Sequence, residues 1–185
     1  AGVTVSEAVC RGLQVYLDEQ LRNRVGDQQN TIFHMPLGTI EDQHCRFYLN
    51  ALTTLNDVPT IGVAEELFGF PVIGVRSNDR WHIRVGLNTT LALRNALKQA
   101  LFDTQNQLDS VMKQKMEASV FLKEMNTQLD IPSCDEITQL EVLESSIQVL
   151  NRNGKHLLVY DLAFEPFLKQ ELAGVFGVQV CGEVS

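Results

Sequence analysis

The chain has 185 residues, a formal net charge of −8 and 44% hydrophobic residues. That length suits one domain with a proper core, and ordinary hydrophobicity with moderate charge predicts a globular fold without long disorder. The acidic balance argues against a nucleic-acid groove, which needs a basic face, and no apolar run approaches the ~18 residues of a membrane span. The chain opens at Ala1 with no signal-peptide pattern, which reads as trimming or a fragment of a larger protein. Cys10, Cys45, Cys134 and Cys181 are scattered, with no C-x-x-C. Free thiols in a reducing cytoplasm are therefore expected, rather than a disulfide framework or a zinc site.

Val3–Val25 is predicted to be a long helix, with Ser6 as cap, Glu7 at the positive end and Gly26 as its stop. Val9, Leu13, Tyr16, Leu17 and Leu21 give it an apolar face. Asn30–Met35 reads as a short strand and Pro36–Gly38 as a turn. Thr39 with Asp42 resembles a capping box for a helix over Ile40–Leu55. His44–Cys45 is not a nucleophile pair, because neighbours on a helix point in different directions. Asn56–Pro59 is a turn, Thr60–Ala64 a strand and Glu65–Phe70 a short helical turn.

The stretch from Pro71 to Gln105 has the order strand, turn, strand, glycine, helix. Val72–Arg76 is apolar and β-branched around Gly74, and Ser77–Asn78–Asp79 supplies turn chemistry. Trp81–Leu87 alternates, with Trp81, Ile83 and Val85 on one side and His82, Arg84 and Gly86 on the other. Asn88, Thr89 and Thr90 offer N-caps, and Leu93, Ala96, Leu97, Ala100 and Leu101 form a helical stripe. Asn106–Glu124 is helix-compatible, and Pro132 and Ser133 mark a break, so 126–135 reads as a flexible loop. Ser133 or Asp135 caps a helix over Glu136–Leu150, with Ile137, Leu140, Leu143, Ile147 and Leu150 as its stripe and Gly154 as its C-cap. His156–Leu162 as a buried strand, Glu165–Leu172 as a helix and Val175–Cys181 as a strand make a β-α-β unit with parallel strands.

Three of these stretches resemble the YcaO-like family. Pro71-Val72, Gly86 and the run from Ala92 to Ala100 resemble its middle, which runs P-V, then G-x-G, then A-L-x-R-A-L-x-E-A. Ala8, Val9, Gly12 and Leu13 fit the frame of its glutamate-bearing helix. His156–Asp161 and Phe176–Val180 match a strand ending in aspartate and a later V-x-V strand. The resemblance covers most of the chain but only part of a complete family member. It implies an α/β fold and ATP- and magnesium-dependent activation of a peptide amide, so that a neighbouring Cys, Ser or Thr cyclises to an azoline. The nucleotide–metal positions of the first helix, two glutamates and an arginine in the family, read Gln14, Leu17 and Asp18 here, and the acid of the central helix reads Gln99. An amide is a poorer ligand than a carboxylate for a hard cation, and a leucine is none.

Other candidates come from the residues themselves. Asp161 stands at a strand's carboxyl end, where α/β folds gather ligands. Arg76, Arg80, Arg84 and Arg94 bracket the central hairpin and offer guanidinium forks to an anion. Glu65–Glu66 and Glu141–Glu144 read as solvated helix faces, Trp81 as a core or edge aromatic, and the four histidines have no ligand spacing. No Gly-rich phosphate loop is present.

The expectation is thus an α/β (or α+β) fold with a mixed sheet and long helices on its faces, a single YcaO-like domain over 1–185. Within the family it acts without a cofactor in the cytoplasm, in maturation of thiazole- and oxazole-containing bacteriocin peptides. Its partners there are the precursor peptide and azole-forming synthetase subunits, with no nucleic acid or membrane, and exposed sheet edges are compatible with a homodimer. Two alternatives stand beside it: a Mg-ATP-dependent cyclodehydratase completed by another segment or chain, and an unrelated α/β ligand-binding domain.

Overall fold

A computed structural model describes residues 4–27, 30–55, 58–105, 120–125, 127–134, 137–161 and 176–182. Its centre is an antiparallel meander of β3 (Thr60–Leu67), β4 (Phe70–Ser77) and β5 (Arg80–Val85). β1 (Asn30–His34) joins β3 antiparallel, and β6 (Val120–Glu124) joins β1 parallel. The result is a mixed five-stranded sheet in the order β5-β4-β3-β1-β6.

Both hairpins close on two-residue turns with left-handed backbone, as the right-handed twist of the strands requires. Asn78 and Asp79 have φ of 50° and 60°, and Phe68 and Gly69 have 53° and 83°. The second turn corrects the helical turn expected at Glu65–Phe70: β3 continues through exposed Glu65 and Glu66 to Leu67. Phe68 is an unusual residue for positive φ. Its ring stacks on Tyr16, with centroids 6.4 Å apart, and takes the Lys155 ammonium 5.4 Å from its centre.

Helices cover both faces of the meander. α1 (Val5–Asp27) lays Leu13, Leu17 and Leu21 on Ile32, Val72, Ile83 and Val85. α3 (Thr89–Gln105) and α2 (Gln43–Leu55) cover Ile61, Ile73 and Val75 on the other face. Val72, Ile73 and Val75 of β4 are all 0% exposed. The expected stripe of α3 is the buried one, and Asn88 caps that helix by accepting the Leu91 N–H at 2.8 Å.

Two smaller sheets complete the described fold. β2 (Leu37–Ile40) runs parallel to β7 (Leu129–Ile131). β8 (Lys155–Asp161) runs antiparallel to β9 (Phe176–Gly182). The antiparallel pairing corrects the parallel β-α-β unit; the intervening Glu165–Leu172 helix lies outside the described residues. β8 is also not a buried strand, since Leu158, Val159 and Tyr160 are exposed. Its partner β9 reaches α1 at Gly12, where a Cβ would stand 2.6 Å from Val178 Cγ2.

Several boundaries also move. Thr4, not Ser6, caps α1 by accepting the Glu7 N–H. Thr39 and Ile40 belong to β2, so α2 starts later and Asp42 caps it by accepting the Cys45 N–H at 2.8 Å. Val120–Glu124 is a strand rather than the end of a helix, and 106–119 lie outside the described residues. The expected loop 126–135 contains β7, whose Ile131 is fully buried and accepts the Glu41 N–H. α4 (Gln139–Arg152) is capped by a Thr138–Glu141 capping box rather than by Ser133 or Asp135. Its buried positions are Val142, Ser146 and Leu150, while Ile137, Leu140 and Ile147 of the expected stripe are exposed. Asn153, not Gly154, is its C-cap, and Gly154 follows with φ 62° as the left-handed residue that turns the chain away. All four cysteines are free, and Cys10 and Cys45 are buried. Among the described residues no helix is long and apolar enough to cross a membrane.

Gly86 fixes how β5 passes into α3. Its N–H donates to Pro71 O at 3.1 Å, and a Cβ there would lie 2.1 Å from the Ala92 backbone nitrogen. Backbone cannot rotate aside as a side chain can. Gly86→Ala is therefore expected to cost about 3 kcal/mol, the upper end of overpacking penalties, read as a lower urea midpoint at unchanged slope. An unchanged midpoint would show that the junction has slack.

Candidate functional site at the edge strand β5

Among the described strands β5 ends the sheet, so half of its backbone groups face away from β4. The two-residue turn makes Ser77 and Arg80 a hydrogen-bonded pair, and the register then alternates. Arg80, His82 and Arg84 bond β4, while Trp81, Ile83 and Val85 turn their N–H and C=O groups away from it. Two of these outward carbonyls are held by side chains. Gln14 Nε2 donates to Val85 O at 2.9 Å, and Arg84 Nη1 donates to Ile83 O at 3.2 Å.

The side chains of Arg80, His82 and Arg84 project to the face that α3 covers, because His82 stands opposite Val75 and Arg84 opposite Ile73. His82 is 9% exposed and places Nδ1 3.3 Å from Asp103 Oδ2 of α3. Gln99, one turn earlier, donates to Asp103 Oδ1 at 2.8 Å. Burial lowers the His82 pKa; Asp103 opposes this and the Arg84 and Arg80 charges add to it. His82 is thus held as neutral imidazole at neutral pH.

From the other face, α1 brings Asp18 toward Arg84. Burial raises the Asp18 pKa, although Gln14, Arg84 and Arg22 pull it down. Asp18 Oδ1 is buried without a hydrogen-bond partner among the described residues. Burial likewise lowers the Arg84 pKa, against the pull of Asp18. Each partner is destabilised as an ion despite the other, so desolvation outweighs attraction in this pair.

The residues singled out in the sequence distribute as follows. Gln14, Asp18 and Arg84 meet at β5, and Gln99 reaches it only through Asp103, which faces His82. Leu17 is 0% exposed in the core beneath α1. Arg76 pairs with Asp79 at 2.8 Å and lines an open polar cleft of about 270 Å³ with Thr60 and Ser77. Arg94 binds the fully buried Asp42 at 2.5 Å. Burial pushes the Asp42 carboxyl up, but the Cys45 N–H and Arg94 outweigh it and hold the pKa below the ordinary value. Burial and Asp42 push the Cys45 thiol up to about 12, which leaves it inert. Asp161 is exposed at the end of β8, opposite Phe176 of an antiparallel partner, so the parallel-strand crevice expected there is not formed. Arg76 and Arg94 are therefore each on a carboxylate of their own, with Arg84 beside Asp18, rather than around one anion. Asp103 and His82 escaped sequence reasoning because their pairing spans two elements; the spacing of Asp103 four residues after Gln99 was the available signal. Among the described residues no three His, Cys, Asp or Glu side chains are grouped to hold a metal ion.

No family model matches the chain, and no curated protein is significantly similar to it.

Because the folded Asp18 carboxyl keeps its proton to higher pH than the unfolded one, its ionisation costs stability. The penalty is absent below the ordinary value of 3.8 and complete above the raised one. Asp18→Asn is expected to raise the urea midpoint at pH 7 and to leave it unchanged at pH 3. A lower midpoint at pH 7 would mean that the pairing with Arg84 outweighs burial.

Proposed function

We propose that this chain is a non-catalytic YcaO-like domain of the cytoplasm, working in the maturation of thiazole- and oxazole-containing bacteriocin peptides. It recruits the precursor peptide or scaffolds the azole-forming synthetase subunits. The observation that carries this reading is how the positions of the family's nucleotide–metal acids are spent. Gln14 holds a strand carbonyl, Leu17 is core, and Gln99 holds Asp103. A nucleotide–magnesium site needs carboxylate oxygens turned to the cation. These three side chains supply contacts to the fold instead.

A second reading has one observation in its favour. The buried, unpartnered Oδ1 of Asp18 would be satisfied by a donor or cation brought by another segment or chain. That reading makes the chain part of a Mg-ATP-dependent cyclodehydratase.

Calorimetric titration with Mg-ATP separates them. The folded chain is expected to give no binding heat. Micromolar binding that a chelator abolishes and Asp18→Asn weakens would put the cyclodehydratase reading first.

A further inference from the structure

We propose that the outer face of α4 docks an amphipathic helix of a partner chain, apolar along one side and basic beside it. The proposal deepens the scaffold reading and rests on it for the partner's role.

The first support is an apolar stripe that the described fold leaves bare. α4 turns Val142, Ser146 and Leu150 inward. Leu140 and Ile147 are 54% and 37% exposed, and Leu143 between them is half-buried. At ~100° per residue these three fall within an arc of about 60°, so they line one side of the helix over two turns. Ile137, just before the Thr138 cap, is exposed as well. A single exposed leucine is ordinary on a protein surface. A row at spacings of three and four is what a second helix packs on. The row is also held in place: the Thr138–Glu141 capping box starts the helix, and the Cys10 thiol of α1 donates to Gln139 O at 3.5 Å. A partner therefore meets a surface that needs little ordering.

The second support is charge. Glu141 and Glu144 stand exposed beside the stripe, and α4 has no cation before Arg152 in its last turn. Hydrogen bonds from the Thr138 N–H and hydroxyl lower the Glu141 pKa, which keeps that carboxylate charged. Among the described residues neither acid pairs with a cation. A second copy related by a two-fold axis would lie antiparallel on the stripe and set like flank against like, acid against acid. The net charge of −8 opposes it further. Lysines or arginines beside a partner's apolar row would instead meet opposite charge. The exposed Phe47 and Leu55 of α2 lack this second feature, since that helix contains no acid and the Phe47 ring lies edge-on to Tyr48. The occupant that fits α4 is therefore a basic amphipathic helix.

The test uses the full chain and two alanine-based helical peptides that share one leucine stripe, flanked by lysines in one and by glutamates in the other. Anisotropy of the labelled peptide reads binding, and methyl NMR reads where it docks. The lysine peptide is expected to bind and to shift the methyl signals of Leu140 and Ile147, and the glutamate peptide is not. Leu140→Glu adds an acid at an exposed position, so attraction by charge alone would strengthen. Docking on the stripe is instead expected to weaken at least tenfold, without a lower urea midpoint. Glu144→Lys is expected to weaken the lysine peptide and to admit the glutamate one. No binding of the lysine peptide, equal binding of both, undiminished binding by Leu140→Glu, or shifts at Leu55 in place of Leu140 would each overturn the proposal. So would a dimer that Leu140→Glu dissolves, which makes the occupant a second copy. A lower urea midpoint in that variant would do the same, because the chain would already cover the stripe itself. Failure of docking with no Mg-ATP heat removes this surface and leaves the non-catalytic reading in place. Mg-ATP binding removes that reading whatever the peptides do.

Discussion

β4 is buried on both faces, and most of the architecture follows from that. A strand with Val72, Ile73 and Val75 all at 0% exposure needs an apolar layer above and below. α1 supplies one and α3 with α2 the other. A buried leucine-sized side chain contributes roughly 1.5–3 kcal/mol, so two such layers dominate the favourable side of folding. The same clamp settles where β5 must lie. It pairs with β4 on one side, Gly86 turns it at once into α3, and no described strand follows it in the sheet. The edge is thus a consequence of the core.

Polar groups pin the helices that make the clamp. Asp42 caps α2 and binds Arg94 of α3, joining the two helices at a fully buried carboxylate. Such a pair adds little net stability over apolar packing, but it is costly to break by halves, so it fixes the helices' relative register. Gln14 ties α1 to β5 in the same way, while Gln99 holds Asp103 within α3. This explains how amides can stand where the resembling family has acids without leaving a defect. Each amide has a donor to give and finds an acceptor already present in the fold.

Much of this was legible in the sequence, in parts that depend on local chemistry. The Asn78–Asp79 turn, the Asn88 cap, the α3 stripe and the Gly154 stop each need only a few neighbouring residues. The mixed sheet with helices on its faces followed from their order. What was not legible depends on partners far along the chain. β8 and β9 read as parallel because an apolar run carries no direction, yet β9 packs on α1 at Gly12 and pairs antiparallel. The expected α4 stripe holds at Leu150 but takes in exposed Leu140 and Ile147, which are as apolar as the buried Val142, and only packing against α1 and β8 decides which face turns inward. Asp42 read as half of a local capping box; its pairing with Arg94 lies 52 residues away. At the site, Gln14 and Gln99 were visible as departures from a family pattern, whereas the β5 carbonyl of Val85 that Gln14 holds, 71 residues along the chain, appears only in the folded protein.

Amide exchange in the free protein tests the central claim most directly, because it reads the β5 edge residue by residue. His82 and Arg84, bonded into β4, should exchange slowly, while Trp81, whose N–H has no partner in β4, should exchange faster. That pattern would establish β5 as held along its inner side by the clamped strand β4. Exchange at His82 and Arg84 as fast as at Trp81 would mean that β4 does not hold β5, and the account of β4 as the clamped centre would be wrong.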